Sequence, residues 1–247
     1  MVSMCLLIVL AGLDEEYPIL VAGNRDEFRH RTASPPGLFV GSRRRMISPR
    51  DRQAAGTWMA VNDAGFFAGL TNFGGLRAPP DASTRGDLPH LVLDGENIAD
   101  GVRAIETGGR SYNPFQMLVS DGSVIHSITG DGGVIEHIEI EGGVAVASNE
   151  HRVGGLEIPG LEEVCAPGQP PEARIDLLKT ILLDRGGSSG HPILKKGGDY
   201  GTVSSSLVAV HREDPRRLIW WYAAGESDDV PYRNYGNLGR RLLTGPD

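Results

Sequence analysis

The sequence predicts a layered α+β domain in which two antiparallel sheets pack face to face with helices outside, on three observations. Met4–Leu10 and Ile19–Ala22 are almost continuously apolar rather than alternating, so both faces of these strands must be covered. Strand-like segments bounded by Gly, Asp and Pro recur along the chain, with hairpin chemistry between neighbours. Helical periodicity is confined to two stretches, which must pack on the sheets rather than on each other.

The first two runs are joined through Asp14-Glu15-Glu16 and read as a hairpin. Thr57–Val61 and Phe66–Thr71 form a second, because Asn62-Asp63-Ala64-Gly65 supplies residues that tolerate turn geometry. Further strands are expected at Gln116–Ser120, Ser123–Ile128, Val134–Glu139, Val144–Ala147, Ser205–His211 and Leu218–Ala223. Ile98–Thr107 has a helical period. So has Pro171–Arg185, where Ile175, Leu178, Ile181 and Leu182 share a face behind a proline suited to a first turn. Ser34–Gly37, Arg77–Asp81 and Ala166–Glu172, rich in Pro, Gly and small polar residues, read as surface connections. No linker or repeat divides the 247 residues, so residues 1–247 are taken as one domain.

A net charge of -8 argues against nucleic-acid binding, which normally shows as a basic domain. Two cysteines make neither a disulfide framework nor a zinc site, and fit a reducing compartment. The run from Met4 to Leu13 is too short to span a bilayer and lacks the flanks of a secretory signal, which leaves a cytoplasmic location as the expectation. The seven histidines show no metal-ligand spacing, no glycine-rich loop matches a phosphate cradle, and Ser204-Ser205-Ser206 lacks a nucleophile elbow. The expectation is therefore no metal and no required cofactor. Oligomeric state is not legible from residue types.

Cys5 directly follows Met4, and removal of the residues up to Met4 would leave it as the first residue. An N-terminal cysteine carries nucleophile and base together, since its α-amine, with a pKa of roughly 7.7–8.0, takes the thiol proton. The simpler alternative is a small buried hydrophobe at the start of a core strand. Asn24-Arg25-Asp26-Glu27 follows the second apolar run, so these side chains are expected at a strand end, where an arginine–carboxylate pair can orient a thiolate or an ammonium. Asn72 and Asn149 end strands too, and three asparagine-bearing ends could meet the start of the first strand along one sheet edge. Residues 25–52 hold eight arginines against three carboxylates, the pattern of a solvated basic loop or of a surface that attracts an anion.

Taken in order, Met4-Cys5-Leu6-Leu7, Asn24-Arg25-Asp26-Glu27, Arg50-Asp51 leading to Gly56-Thr57-Trp58, Leu70-Thr71-Asn72, Ser83-Thr84-Arg85-Gly86, Tyr112-Asn113-Pro114-Phe115, Ser148-Asn149 and Tyr200-Gly201-Thr202 resemble the NRDE family, also called the Transport and Golgi Organisation protein 2 family. That family is in turn similar to cysteine-type N-terminal nucleophile (Ntn) hydrolases, which include penicillin V acylase and bile salt hydrolase. The resemblance implies a four-layer αββα sandwich. It also implies Cys5 as nucleophile, Arg25 and Asp26 as the pair that orients it, and Asn72 and Asn149 as oxyanion partners. Asn24, Glu27, Arg50, Thr71 and Ser204 are expected to bind substrate. One departure is Val203, where family members commonly carry arginine in a Gly-Thr-Arg-Ser-Ser stretch. The implied function is hydrolysis of C–N amide bonds. The alternative, which the resemblance also carries, is a non-catalytic carrier of haem or of a lipid or acyl-CoA, with haem as transported ligand. Either way the expected partner is a small anionic or amphipathic molecule.

Overall fold

The computed structural model describes residues 5–74, 82–131, 134–186 and 192–244. Its first half runs β1 (Leu6–Ala11), β2 (Ile19–Phe28), β3 (Ala33–Val40), β4 (Arg45–Asp51), β5 (Met59–Asn62), β6 (Phe67–Asn72), α1 (Leu88–Leu93) and α2 (Ile98–Thr107). The second half runs β7 (Phe115–Ser120), β8 (Val124–Asp131), β9 (Val134–Glu141), β10 (Gly143–Ser148), α3 (Leu161–Cys165), α4 (Pro171–Leu182), β11 (Tyr200–Val210), β12 (Ile219–Ala223), β13 (Arg233–Asn234) and α5 (Gly239–Thr244). A six-stranded sheet has the order β10-β1-β2-β11-β12-β13, and a seven-stranded sheet runs β3 to β9 in sequence order. Every pairing within them is antiparallel.

Three apolar clusters define four layers. Leu7, Val9, Ile19 and Val21 of the six-stranded sheet meet Ile47, Met59, Val61, Phe67 and Leu118 of the other, forming the core between the sheets. Because side chains alternate along a strand, Leu6, Ile8, Leu10, Leu20 and Ala22 point the opposite way, onto Val164 of α3 and Ile175, Leu178, Ile181 and Leu182 of α4. On the far side, Met46, Ala60, Ala68, Met117 and Val119 are covered by Leu88, Val92 and Leu93 of α1 and Ile98, Val102 and Ile105 of α2. The molecule is thus an αββα sandwich, and β1 is buried along its whole length, as its unbroken apolar run requires.

Local chemistry accounts for the junctions. The Asn62 side chain accepts from the amides of Ala64 and Phe66, and Gly65 takes φ 78° to close the β5–β6 hairpin. Asn97 caps α2 by accepting from the Asp100 amide at 2.9 Å, and Pro171 opens α4.

Three expectations change. Asn24-Arg25-Asp26-Glu27 lies within β2, which continues to Phe28 because β11 pairs with it throughout. Ser34–Gly37 belongs to β3, an edge strand whose pairing shifts between Ser34 and Gly37, a place where Pro35 and Pro36 need donate nothing to a ladder. The arginine-rich segment is likewise sheet rather than loop: β3 and β4 run through it, and their turn is held by Asp94, whose carboxylate accepts from the amides of Ser42, Arg43 and Arg44. Residues 77–81 and Met4 lie outside the described residues.

Candidate active site

Cys5 stands just before β1, and β1 pairs Leu6 with Asn24 on β2 and with Ser148 on β10. Continuing that register by one residue places Cys5 between Arg25 and Asn149, so the central position of β1 creates the site. The Cys5 Sγ accepts from the Asp26 amide and donates to the Asp26 carbonyl, both at 3.3 Å. The same carbonyl accepts from the Tyr200 hydroxyl at 3.0 Å. Burial, then the charge of Asp26, push the thiol up to about 12.

Alternation along β2 sends its polar residues to different tasks. Asn24 donates to the carbonyls of Leu182 and Ile193 and accepts from Ser205 Oγ at 2.5 Å, so its amide ties the sheet to the end of α4. Arg25 points between the sheets, lies over the Trp58 ring at 4.7 Å and pairs with Asp51 rather than with Asp26, its guanidinium 2.8 Å from Asp51 Oδ2. Asp26 accepts from Thr202 Oγ1 at 2.7 Å and lies 3.5 Å from Lys195 Nζ. Burial raises its carboxyl to about 6 against the opposing pull of Thr202 and Lys195. Arg25 and Asp26 are therefore both beside the thiol but act through separate partners.

Asp51 is the hub of the opposite wall. It accepts from Arg25, from Arg31 Nε at 2.8 Å, and from the amides of Gln53 and Ala54. Burial alone would raise its carboxyl; the Ala54 amide, Arg31 and Arg25 outweigh it and hold the group below the usual range. Arg31 in turn pairs with Glu27 at 3.0 Å. The turn that Asp51 stabilises contains Ala55 at φ 60°, a left-handed conformation unusual for a residue with a Cβ.

These groups enclose a cavity of about 350 Å³ lined by, among others, Cys5, Arg25, Glu27, Thr71, Asn72 and Arg85. Its size falls in the range of small-molecule sites. Arg85 donates to the Pro114 carbonyl at 2.7 Å and, among the described residues, forms no ion pair with a carboxylate. Burial and then the nearby Arg31 charge lower its pKa. Glycine is required where the cavity's two loops touch: a Cβ on Gly56 would lie 2.6 Å from the Gly86 backbone, while the Thr57 amide donates to the Gly86 carbonyl.

Of the expected site residues, Cys5, Arg25, Asp26, Glu27, Thr71 and Asn72 line the cavity. Asn24 also reaches it, but with its side chain committed elsewhere. Asn149 follows β10, accepts from the Gly74 amide through its carbonyl, and is beside Cys5 by register without lining the cavity. Arg50 turns to the Ala55 carbonyl, and Ser204 is buried in β11. Val203 is the residue skipped where the β2–β11 register shifts, and is not among the lining residues. Arg31, Asp51, Trp58, Arg85, Lys195 and Thr202 were not anticipated as site residues. Only their places in the motif segments hinted at four of them, Asp51, Trp58, Arg85 and Thr202. Among the described residues no helix is long and apolar enough to cross a membrane.

Known structures share this architecture. An N-acylethanolamine-hydrolyzing acid amidase ortholog from Caenorhabditis elegans superposes with a TM-score of 0.57 at 12% identity, over 82% of this chain and 92% of that one. A variant of the conjugated bile acid hydrolase from Clostridium perfringens gives 0.55 at 11% identity, over 98% and 95%. At identities this low, the superpositions show a shared Ntn-hydrolase-like fold and nothing beyond it. Among curated sequences, a Transport and Golgi organization 2 homolog from Mus musculus is 32% identical over 109 residues, 42% of this chain and 39% of that protein. The Homo sapiens homolog is 28% identical over the same shares. The chain thus matches about two fifths of the length of these relatives. The sequence profile described as Transport and Golgi organisation 2 matches residues 4–157, well over half of the chain, and the chain belongs to that family.

Proposed function

We propose that the protein hydrolyses C–N amide bonds of small molecules that carry an anionic group, with Cys5 as nucleophile. The observation that carries this reading is a thiol on the wall of a small-molecule-sized cavity, gripped through both backbone hydrogen-bonding groups of Asp26, with an arginine on the same wall that forms no ion pair with a carboxylate among the described residues. A thiol raised to about 12 is protonated at neutral pH, so its proton must leave as it attacks. The α-amine of residue 5, freed by removal of the residues ahead of it, accepts that proton, and the Asp26 carboxylate stabilises the resulting ammonium.

Attack joins Sγ to the amide carbon, and the oxyanion is met by the side-chain amides of Asn72 and Asn149. Collapse breaks the C–N bond as the ammonium returns the proton to the departing amine. Water then attacks the thioester, giving its proton to the α-amine, and the thiol leaves with a carboxylic acid as second product. Arg85 holds the substrate's anionic group, and Thr71 and Glu27 complete the lining. The test is turnover of a panel of N-acyl amino acids, read together with the intact mass of the purified chain. A chain beginning at Cys5 that turns over substrate, with Cys5→Ala folded but inactive, is the expected result; activity retained in Cys5→Ala overturns it.

The same thiol favours a second reading. If residue 5 keeps its peptide bond to residue 4, the α-amine is lost as a base and the thiol keeps only its bonds to the Asp26 backbone among the described residues, so the cavity serves as a carrier site for an anionic amphipath such as haem or an acyl-CoA. An intact mass that retains Met4, with a Soret shift on haem titration that Cys5→Ala abolishes, would favour the carrier.

A further inference from the structure

We propose that His126, His137 and Glu139 form a binding site for a divalent transition-metal ion of the Zn²⁺ type. The β8–β9 register pairs His126 with Glu139 and Ile128 with His137, and paired residues share a face, so all three side chains stand on one surface of the hairpin. His126 Nδ1 lies 3.0 Å from His137 Nε2 and 3.5 Å from Glu139 Oε1. One ligand atom from each residue lies within 4.8 Å of the other two. In a tetrahedral zinc centre with bonds of about 2.0–2.1 Å the ligand atoms are separated by roughly 3.3–3.4 Å, and the two closest separations bracket that value.

The simpler account is a hydrogen bond between two imidazoles. It requires one unprotonated ring nitrogen aimed at its neighbour, which is also the state a metal ligand must have, and the Glu139 carboxylate 3.5 Å from the same His126 nitrogen adds an anionic donor to the pair. Two imidazoles and a carboxylate suit Zn²⁺, whereas Mg²⁺ and Ca²⁺ prefer all-oxygen sets. The His126 side chain is 12% exposed and that of Glu139 62%, so a half-buried anchor opens toward solvent, where water can take a fourth position.

The site is separate from the proposed chemistry. His126 is paired with Val119 and lies on the helix-bearing face of the seven-stranded sheet, whereas the Cys5 cavity lies between the sheets. Its effect is mechanical: β9 is an edge strand with an alternating exposed face, and a metal bridging it to β8 pins that edge.

The experiment titrates chelator-stripped protein with ZnCl2 against a chromophoric chelator and follows the melting temperature in parallel. One equivalent of Zn²⁺ should bind and raise Tm. His137→Ala and Glu139→Gln, which alter the two ligands on the edge strand β9, should each weaken that site by more than about tenfold and abolish the Tm shift. His126→Ala removes the anchor but also a packed ring, so the other two variants carry the test. No stoichiometric binding to the wild type, or equal binding by His137→Ala, overturns the proposal.

Discussion

Asp51→Asn isolates the electrostatic hub of the cavity wall while keeping its shape. Asparagine retains an oxygen for the Gln53 and Ala54 amides, so the turn should survive. What is lost is the negative charge between Arg25 and Arg31, each 2.8 Å from Asp51 Oδ2. The Arg25 and Asp51 side chains are 9% and 10% exposed, and removing one member of such a pair costs about 3–5 kcal/mol because the other is left buried and uncompensated. The Arg25–Trp58 stacking and partial access to solvent place the expected cost near the lower end, about 3 kcal/mol. Arg31 is a third exposed, so its share is within about 1 kcal/mol. For a chain of this size the total of about 3–4 kcal/mol corresponds to a Tm drop of roughly 6–16 °C. The measurement is urea and thermal unfolding of wild type, Asp51→Asn, Arg25→Met and the double variant. The Asp51 carboxyl is held below its ordinary 3.8, so its contribution is complete above that pH and is lost as pH falls toward the folded value. A loss in Asp51→Asn under about 1 kcal/mol, or full additivity with Arg25→Met, would refute the argument that a buried charge pair organises this wall.

The remaining predictions concern the cavity and its loops. Below the acid limb set by the α-amine, amide hydrolysis should show a second inflection at about pH 6, where Asp26 takes up its proton, and Thr202→Val should move it upward by removing the hydroxyl that lowers this pKa; an unmoved inflection in kcat/KM profiles would separate Asp26 from the chemistry. A raised carboxyl pKa also means that the Asp26 site favours folding less as pH rises from 3.8 to about 6, a slope that Asp26→Asn should remove from unfolding titrations. Gly56→Ala drives a methyl to 2.6 Å from the Gly86 backbone and should cost about 1–3 kcal/mol in urea unfolding, with reduced turnover as the Arg85 loop is displaced; a neutral effect would mean the loops part freely. Arg85→Met should raise KM for anionic amides more than for neutral ones, while Arg85→Lys retains part of the preference; equal effects on both substrate types would remove Arg85 from recognition.

Much of this protein is legible in the chain alone, for a physical reason. A strand covered on both faces has to be apolar at successive positions, and β1 and the first half of β2 are written that way, so the layered sandwich follows from their composition. The β5–β6 turn and the starts of α2 and α4 are fixed by local chemistry at Asn62, Gly65, Asn97 and Pro171, and the sequence determines them too. The short elements were invisible: α1 and α3 have six and five residues, too few to establish a period. β3 and β4 were hidden because their arginines and prolines mask alternation that only sheet pairing reveals. At the site, Cys5, Asp26 and Asn72 could be named from position, but the partnerships could not. Adjacent residues on a strand face opposite ways, so Arg25 and Asp26, neighbours in sequence, were separated by the sheet and given to Asp51 and to Thr202 with Lys195. Those partners lie 26 and 176 residues away for Asp51 and Thr202, a distance only register and layer stacking can close.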